Sequence, residues 1–268
     1  MIYLILLGVL AVGFFLYMTL WEPRRMIIRN MTVEGNLKHP LKIAFFSDVH
    51  FTAYNFDYRS RNILKTLQTI RPDIIIFGGD LIDIQWEDTA FLIKMQRFLK
   101  ELKAPYGAYA VCGNHDASYI SHKTYASFMR TCGIQVLNNE IKSLPDSAIA
   151  IGGVEDALYG TPDKELYDVR TMPFQILISH EPDVMDTIKL DYVDLALSGH
   201  THGGQIRVPV FTKLVLPKLG RRYVKGQYTI GSTKLIVSSG IGGALFSARF
   251  RNTPEILEIH CIPDSPHP

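Results

Sequence analysis

Two histidines one residue apart, His200 and His202, stand in the run Ser198-Gly199-His200-Thr201-His202-Gly203-Gly204-Gln205, where the apolar stretch 193–197 stops. In an extended or turning backbone, residues i and i+2 point the same way, so both imidazoles can enter one cleft. The neighbouring glycines let the chain bend and approach closely. A His-x-His pair alone is a weak signal; its weight comes from four other apolar runs that stop at residues able to bind metal. Residues 43–46 lead into Ser47-Asp48-Val49-His50 and 74–77 into Gly78-Gly79-Asp80; 109–112 lead into Gly113-Asn114-His115-Asp116 and 176–178 into Ser179-His180. Five of the nine histidines fall in these turns. Carboxylates, imidazoles and one amide oxygen suit borderline or hard divalent ions such as Mn²⁺, Fe²⁺ or Zn²⁺. Asp48, His50, Asp80, Asn114, His180, His200 and His202 are too many ligands for one ion and suit two that share a carboxylate. Two such ions, about 3.5–4 Å apart, can lower the pKa of a bridging water and clamp a phosphoryl oxygen during in-line displacement.

The elements that must position these residues are apolar throughout rather than alternating, which indicates strands buried on both faces, in a sheet covered by helices or by a second sheet. Five strand ends then converge on one edge, where ligands gather in open α/β sheets. Helical periods lie between the strands. Residues 61–70 bring Ile63, Leu64, Leu67 and Ile70 to one face, and Asp88 is placed to cap a helix over 89–102 with an apolar stripe from Phe91 to Leu102. Ser121 is placed to cap a shorter helix toward Arg130, and Asp183 another toward Ile188. Later strands are expected at 149–154, 234–238 and 256–259.

Residues 2–20 form an uncharged run of 19 residues, which as a helix spans about 28 Å and matches a bilayer core of about 30 Å. Tyr3, Tyr17 and Trp21 lie near its ends, where amphipathic rings favour the interface. No basic residue precedes the run and no small-x-small site ends it, so an uncleaved anchor is favoured over a signal peptide. Arg24, Arg25 and Arg29 follow it, which places the C-terminal domain on the cytoplasmic face of the cell membrane as a single-pass protein. The chain thus divides into an anchor at 1–22, a linker and first strand region at 23–37, and a catalytic domain at 38–268. A net charge of +2 argues against a nucleic-acid partner. Cys112, Cys132 and Cys261 carry no Cys-x-x-Cys spacing and read as buried free thiols.

The five blocks, Asp-x-His, Gly-Asp, Gly-Asn-His-Asp, a lone His and Gly-His-x-His, occur in order from Asp48 to His202. In this the chain resembles the calcineurin-like metallophosphoesterases. The likeness continues through Gly203-Gly204-Gln205, Leu216-Pro217 and Gly220-Arg221-Arg222-Tyr223, and the anchor is similar to that of the family's membrane-associated bacterial branch. The resemblance implies two packed mixed β-sheets flanked by helices, an α/β/β/α sandwich here carrying an N-terminal transmembrane helix. It implies one metal held by Asp48, His50 and His202, a second by Asn114, His180 and His200, and Asp80 bridging both. It further implies that His115 protonates the leaving oxygen or stabilises developing charge, with Asp116 orienting it.

These readings lead to a membrane-anchored two-metal phosphodiesterase or pyrophosphohydrolase that takes a phosphoester substrate, amphiphilic or lipid-linked, with UDP-diacylglucosamine as one specific case within the resemblance. The rivals are a phosphoprotein or phosphomonoester phosphatase, a nuclease, and a non-catalytic scaffold stabilised by metal. Residues 206–223 mix apolar side chains with Lys213, Lys218, Arg221 and Arg222; they suit either a hairpin covering the core or a border of the active site at the membrane surface. His39, His122, His260 and His267 lack partner motifs and read as surface or satisfied histidines, and Glu155 and Asp156 as structural.

Overall fold

Alternate residues of each central strand serve two different cores, which is why these strands are apolar along their whole length. In β2 (Leu41–Phe46), Ile43 and Phe45 face one core while Ala44 and Phe46 face another. The structure, a computed structural model, describes residues 1–83, 86–208, 212–243 and 247–264. Its strands form two six-stranded mixed sheets. The first runs β1 (Ile27–Gly35), β12 (Glu255–Pro263), β2, β3 (Ile74–Phe77), β4 (Ala108–Ala110) and β5 (Gln135–Val136). The second runs β10 (Gly226–Ile230), β11 (Thr233–Val237), β9 (Leu195–Ser198), β8 (Phe174–Ile178), β7 (Ile149–Gly153) and β6 (Glu140–Leu144). The pairs β2–β3, β3–β4, β7–β8 and β8–β9 are parallel, so strands carrying candidate ligands at their carboxyl ends run side by side within each sheet.

The sheets pack face to face through Ile43, Phe45, Ile74, Ile76, Phe174, Ile176, Ile178, Leu195 and Leu197. On the outer face of the first sheet, Ala44, Phe46, Ile75 and Phe77 meet α2 (Phe56–Ile70), α3 (Thr89–Lys100) and α5 (His122–Thr131) through Ile63, Leu67, Met95, Phe98 and Met129. Helix α2 begins earlier than its 61–70 period indicates, because Phe56 packs on Phe51, Phe91 and Phe98. It ends with Arg71 in the left-handed region (φ 52°), just before Pro72. The expected caps are present: Asp88 Oδ1 accepts the Phe91 N–H at 3.0 Å and Ser121 Oγ accepts the Thr124 N–H at 3.1 Å.

The outer face of the second sheet is covered differently. Ala150, Leu177, Ala196 and Leu235 lie under Val184, Met185, Tyr167 and Tyr223, which come from a short 3₁₀ turn (Pro182–Asp186) and loops. Asp183 does not cap a helix toward Ile188. Its carboxylate accepts the N–H groups of Arg221, Arg222 and Tyr223 at 2.8–3.1 Å, because that loop turns three successive donors toward it. The described part of 206–223 is therefore a loop with one helical turn, α6 (Thr212–Val215), rather than a hairpin; Val210, Phe211 and the Lys213 side chain lie outside the described residues.

At the N-terminus, helix α1 (Ile2–Leu16) continues as a π turn (Tyr17–Trp21) and a 3₁₀ turn (Glu22–Arg24). Ile2–Arg24 is long and apolar enough to cross a membrane, and none of the α1 residues is buried. The segment 23–37 carries β1, which pairs in parallel with β12 at the edge of the first sheet. Cys112, Cys132 and Cys261 are buried free thiols, and His122 pairs with Asp156 and His260 with Glu258.

Candidate metal centre

The turns after β2 and β3 in one sheet and after β8 and β9 in the other meet at a shared edge, joined by the first residues of α4 (Asn114–Tyr119), which follow β4. Five of the residues concerned sit in the left-handed backbone region: Asp48 (φ 52°), His50 (47°), Asp80 (60°), His200 (68°) and His202 (49°). Each such non-glycine residue costs on the order of 1 kcal/mol or more, and clusters of them mark sites where function dictates geometry. The hydrogen bonds that hold them tie one turn to another, across the sheets for Asp48 and between neighbouring strands of the first sheet for Asp80. Asp48 accepts the His200 N–H at 2.9 Å, and Asp80 Oδ1 accepts the His115 N–H at 2.8 Å. Gly199 and Gly113 are required by this closeness, since a Cβ on either would collide with the Asp48 or the Asp80 carboxylate.

Every residue expected as a ligand reaches this cluster. Asp48, His50 and His202 bring ligand atoms within 4.8 Å of one another, as do Asp48, Asp80 and His180. The His50 and His202 rings stack with facing Nε2 atoms 3.2 Å apart, and His50 Nε2 lies 3.6 Å from Asp80 Oδ2. On the other side, His180 Nε2 lies 3.2 Å from Asp80 Oδ2 and 3.1 Å from Asn114 Oδ1, which is also 2.9 Å from His200 Nδ1. All four imidazoles and both carboxylates are buried.

The remaining ring nitrogens show what the cluster is built to receive. His180 Nδ1 donates to the Gly78 carbonyl at 2.6 Å, and His200 Nε2 to the Lys218 carbonyl at 2.7 Å. A carbonyl cannot donate, so in its neutral form each ring would turn the lone pair of its inward nitrogen toward oxygen acceptors, an arrangement that only a proton or a metal ion there reconciles. Such a convergence requires positive charge, and the titration of the groups agrees. Burial lowers His180, but Asp80 and then Asp48 raise it well above its ordinary value. Asp80 is held well below the carboxylate range despite its burial, chiefly by His180. Burial, reinforced by His180, brings His200 to about 4, and burial with His50 takes His202 well below its ordinary value. Neutral rings are the form that ligates a metal. His202 Nδ1 is buried and, among the described residues, has no partner. The donor set fits divalent ions, which Asp48, His50 and His202, Asn114, His180 and His200, and Asp80 between these two groups would hold.

His115 stands at the rim, one-third exposed, its ring edge-on to His50 at 4.7 Å. The expectation that Asp116 orients it is corrected by the geometry. Successive residues of a helix point about 100° apart, so the Asp116 carboxylate turns inward and accepts the N–H groups of Leu81, Ile82 and Gly113 at 3.1–3.3 Å. The partner of His115 is Asp83, whose Oδ1 lies 3.0 Å from His115 Nδ1 and 2.6 Å from His50 Nδ1. Burial alone would raise Asp83, but the hydrogen bonds from His115 and His50 outweigh it and bring its pKa to about 2. The same bond raises His115 to about 9 against the opposing effect of burial.

Two buried arginines also went unread in the sequence. Arg59 Nη1 donates to the carbonyls of Val49 and His50 at 2.6 and 2.8 Å, and Arg249 gathers the carbonyls of Ser239, Gly240, Gly242 and Asn252. Burial lowers both to about 10, so they remain charged at neutral pH and keep the strand-end loops in place. The sequence signal was present for Arg59, a charge on the inward face of an amphipathic helix, and for Asp83, an acid three residues after Asp80 in an apolar stretch.

Comparison with known proteins shows the family of the chain. Residues 41–204 match the family model for calcineurin-like phosphoesterase. The chain is 37% identical over 224 residues to the uncharacterized metallophosphoesterase YkuE of Bacillus subtilis, covering 80% of this chain and 77% of that one. It is 28% identical over 230 residues to the phosphodiesterase YaeI of Escherichia coli, covering 83% of each. Among solved structures, a dimetal phosphatase from Danio rerio aligns with a TM-score of 0.48 at 11% identity, over 75% of this chain and 88% of that one. The chain belongs to the calcineurin-like phosphoesterase family of metal-dependent phosphoester hydrolases, whose centre binds two divalent ions.

Proposed function

We propose that the protein hydrolyses phosphodiester or pyrophosphate bonds of an amphiphilic substrate at a membrane surface. The observation that carries the catalytic reading is the pairing of His115 with Asp83 beside the buried ligand cluster. A metal held only for stability has no use for an imidazole kept at its rim and raised to about 9. Divalent ions held by Asp48, His50 and His202, by Asn114, His180 and His200, and by a shared Asp80 would supply charge stabilisation to the phosphoryl oxygens and a lowered pKa for the attacking water. The chain's own part is to fix those donors and to hold a proton at His115. Asp83 takes the Nδ1–H, which leaves Nε2–H as the donor to a leaving oxygen.

The membrane part of the reading is supported by how the N-terminal helix meets the domain. Phe250 packs edge-on against Phe14 and Tyr17, with ring centroids 5.0 and 6.5 Å away. Phe14 lies seven residues before Trp21, about 10 Å deeper along a helix. A helix crossing the bilayer with Trp21 at the interface would bring Phe250 below the headgroups, into the edge of the hydrocarbon layer. Ile206, just after the His200–His202 turn, bridges to Phe250, and nearby Leu214 and Val215 are 74% and 68% exposed. An apolar rim next to the site suits a substrate with a lipid tail, such as a nucleotide-sugar lipid like UDP-diacylglucosamine. Arg29 is committed to Glu255 at 2.6 Å, so the cytoplasmic orientation rests on Arg24 and Arg25.

The test uses the full chain in detergent and in vesicles, loaded with Mn²⁺. Cleavage of bis(p-nitrophenyl) phosphate in preference to p-nitrophenyl phosphate is expected, and no cleavage of either would establish the scaffold reading. For the membrane part, turnover of a lipid-linked pyrophosphate in vesicles should fall when Leu214 and Val215 are replaced by serine, with turnover of the soluble diester unchanged. Equal behaviour of both substrates would refute the lipid-facing rim.

A further inference from the structure

Glu22 ends an apolar helix, where any polar residue would do, yet it is 1% exposed. Its two carboxylate oxygens accept the main-chain N–H groups of Arg251 at 3.0 Å and Asn252 at 2.6 Å. One turn earlier, the Met18 carbonyl accepts the Arg249 N–H at 2.8 Å. The end of the N-terminal helix is thus laid along residues 249–252. A buried carboxylate is costly unless its oxygens are satisfied, and charge-assisted bonds to two consecutive amides both satisfy it and fix the direction of the peptide between them.

The same four residues form the back of the His202 turn. Asn252 Nδ2 donates to the His202 carbonyl, and Asn252 Oδ1 accepts from Lys225 Nζ at 3.0 Å. Lys225 Nζ also reaches Ser239 Oγ at 3.1 Å, and Arg249 gathers the surrounding carbonyls. This backing matters more for His202 than for the other imidazoles. His180 and His200 are each oriented by a ring nitrogen bonded to a carbonyl, and His50 by Asp83. His202 has no such bond at Nδ1 among the described residues and sits in the left-handed region. Apart from the stacking of its ring on His50, its orientation is set through its main chain, and the side chain that holds that main chain is Asn252.

We propose that Glu22 is a positioning residue for the metal centre: by fixing the main chain at Arg251 and Asn252 it holds the His202 turn, so that seating of the N-terminal helix and metal binding are linked. The inference depends on the contacts of Glu22 and not on the identity of the substrate or on a bilayer.

The test compares Glu22→Gln, which keeps one acceptor oxygen, Glu22→Ala and Asn252→Ala in the full chain in detergent. Without added metal, peptides covering 247–255 and 200–204 should exchange amide hydrogens faster in both Glu22 variants. Titration with Mn²⁺ should show one of the two sites weakened about ten- to a hundredfold, with the other unchanged. The double variant Glu22→Ala with Asn252→Ala should lose no more affinity than Asn252→Ala alone, because the two act in series. Tyr58→Phe is the control: it removes the Tyr58 hydroxyl bond to the Arg24 carbonyl, another contact between the helix end and the domain, and should leave both sites intact. Wild-type exchange and affinity in the Glu22 variants, additive losses in the double variant, or an equal loss in Tyr58→Phe would each overturn the proposal. If Glu22→Ala does not fold, Glu22→Gln and its combination with Asn252→Ala carry the same comparison.

Discussion

The two halves of the candidate metal centre hold their imidazoles by different means. In the half built from Asn114, His180 and His200, each ring donates to a main-chain carbonyl, Gly78 or Lys218, so orientation is settled once the strands and turns have formed. In the half built from Asp48, His50 and His202, the supports are side chains with other partners. Asp83 serves His50 and His115 together, and Asn252 serves His202 while its own main chain is bound to Glu22. The difference teaches where binding and turnover can be separated. Changes around the first half should act on the metal alone, whereas changes around the second should reach the acid at the rim or the packing of the N-terminal helix.

The sharpest break is between Asp80 and His115. Asp80 touches both halves, 3.2 Å from His180 and 3.6 Å from His50. Asp80→Asn removes the shared charge, and losing one partner of a buried charged pair costs about 3–5 kcal/mol. Metal affinity should fall by two to three decades, with turnover following it, as metal analysis after dialysis would show. His115→Ala should lower turnover by about 10²–10⁴-fold yet leave metal content at the wild-type level. Loss of metal in that variant would mean that His115 is a ligand rather than the acid.

Next in size is the pair Asp83→Asn and Asp116→Asn. The first weakens the support of both His50 and His115, so metal affinity and turnover should each fall, by about 10–100-fold. The second leaves an oxygen for some of the amides of Leu81, Ile82 and Gly113 and should reduce thermal stability, with kcat per bound metal unchanged. If Asp116→Asn lowers kcat at full metal occupancy and Asp83→Asn does not, the two roles are reversed.

That pair also shows how far the sequence could be read. The seven candidate ligand positions, which the structure gathers into one cluster, were legible because each ends an apolar run, and a strand end fixes a side chain's place with little help from distant residues. The helix caps Asp88 and Ser121 were legible for the same reason, since their bonds close within three residues. The partner of His115 was not, because adjacency in sequence favours Asp116 while helix geometry turns it away and brings in Asp83 from the preceding connection. Asp183 failed as a cap in the same way: its three donors lie 38 to 40 residues later. Glu22 reads as the polar end of an apolar helix, and only the packing of residues 249–252 against it reveals a buried carboxylate. Local chemistry is readable in this chain; long-range hydrogen bonds to main-chain amides leave no periodic trace.

The smallest effect comes from an imidazole–carboxylate pair that lies outside the ligand cluster and so serves as a reference for His50 and Asp83. His122 Nε2 lies 2.6 Å from Asp156 Oδ2, the same distance as His50 Nδ1 from Asp83 Oδ1. The bond to Asp156 raises His122 above its ordinary value, against a smaller opposing effect of burial. A histidine whose folded pKa exceeds its unfolded one stabilises the fold fully below the unfolded value, near 6.5, and loses that contribution as pH rises through the folded value. His122→Gln should therefore lower the melting temperature by about 2–4 °C at pH 6, and the gap from wild type should narrow as the pH is raised past 7. Because Asp156 supports loop amides rather than a ligand, with Leu158 and Tyr159 donating to its other oxygen, turnover and metal content should stay at wild-type levels. A change in metal content would place this pair in the support of the centre and would remove the contrast with Asp83.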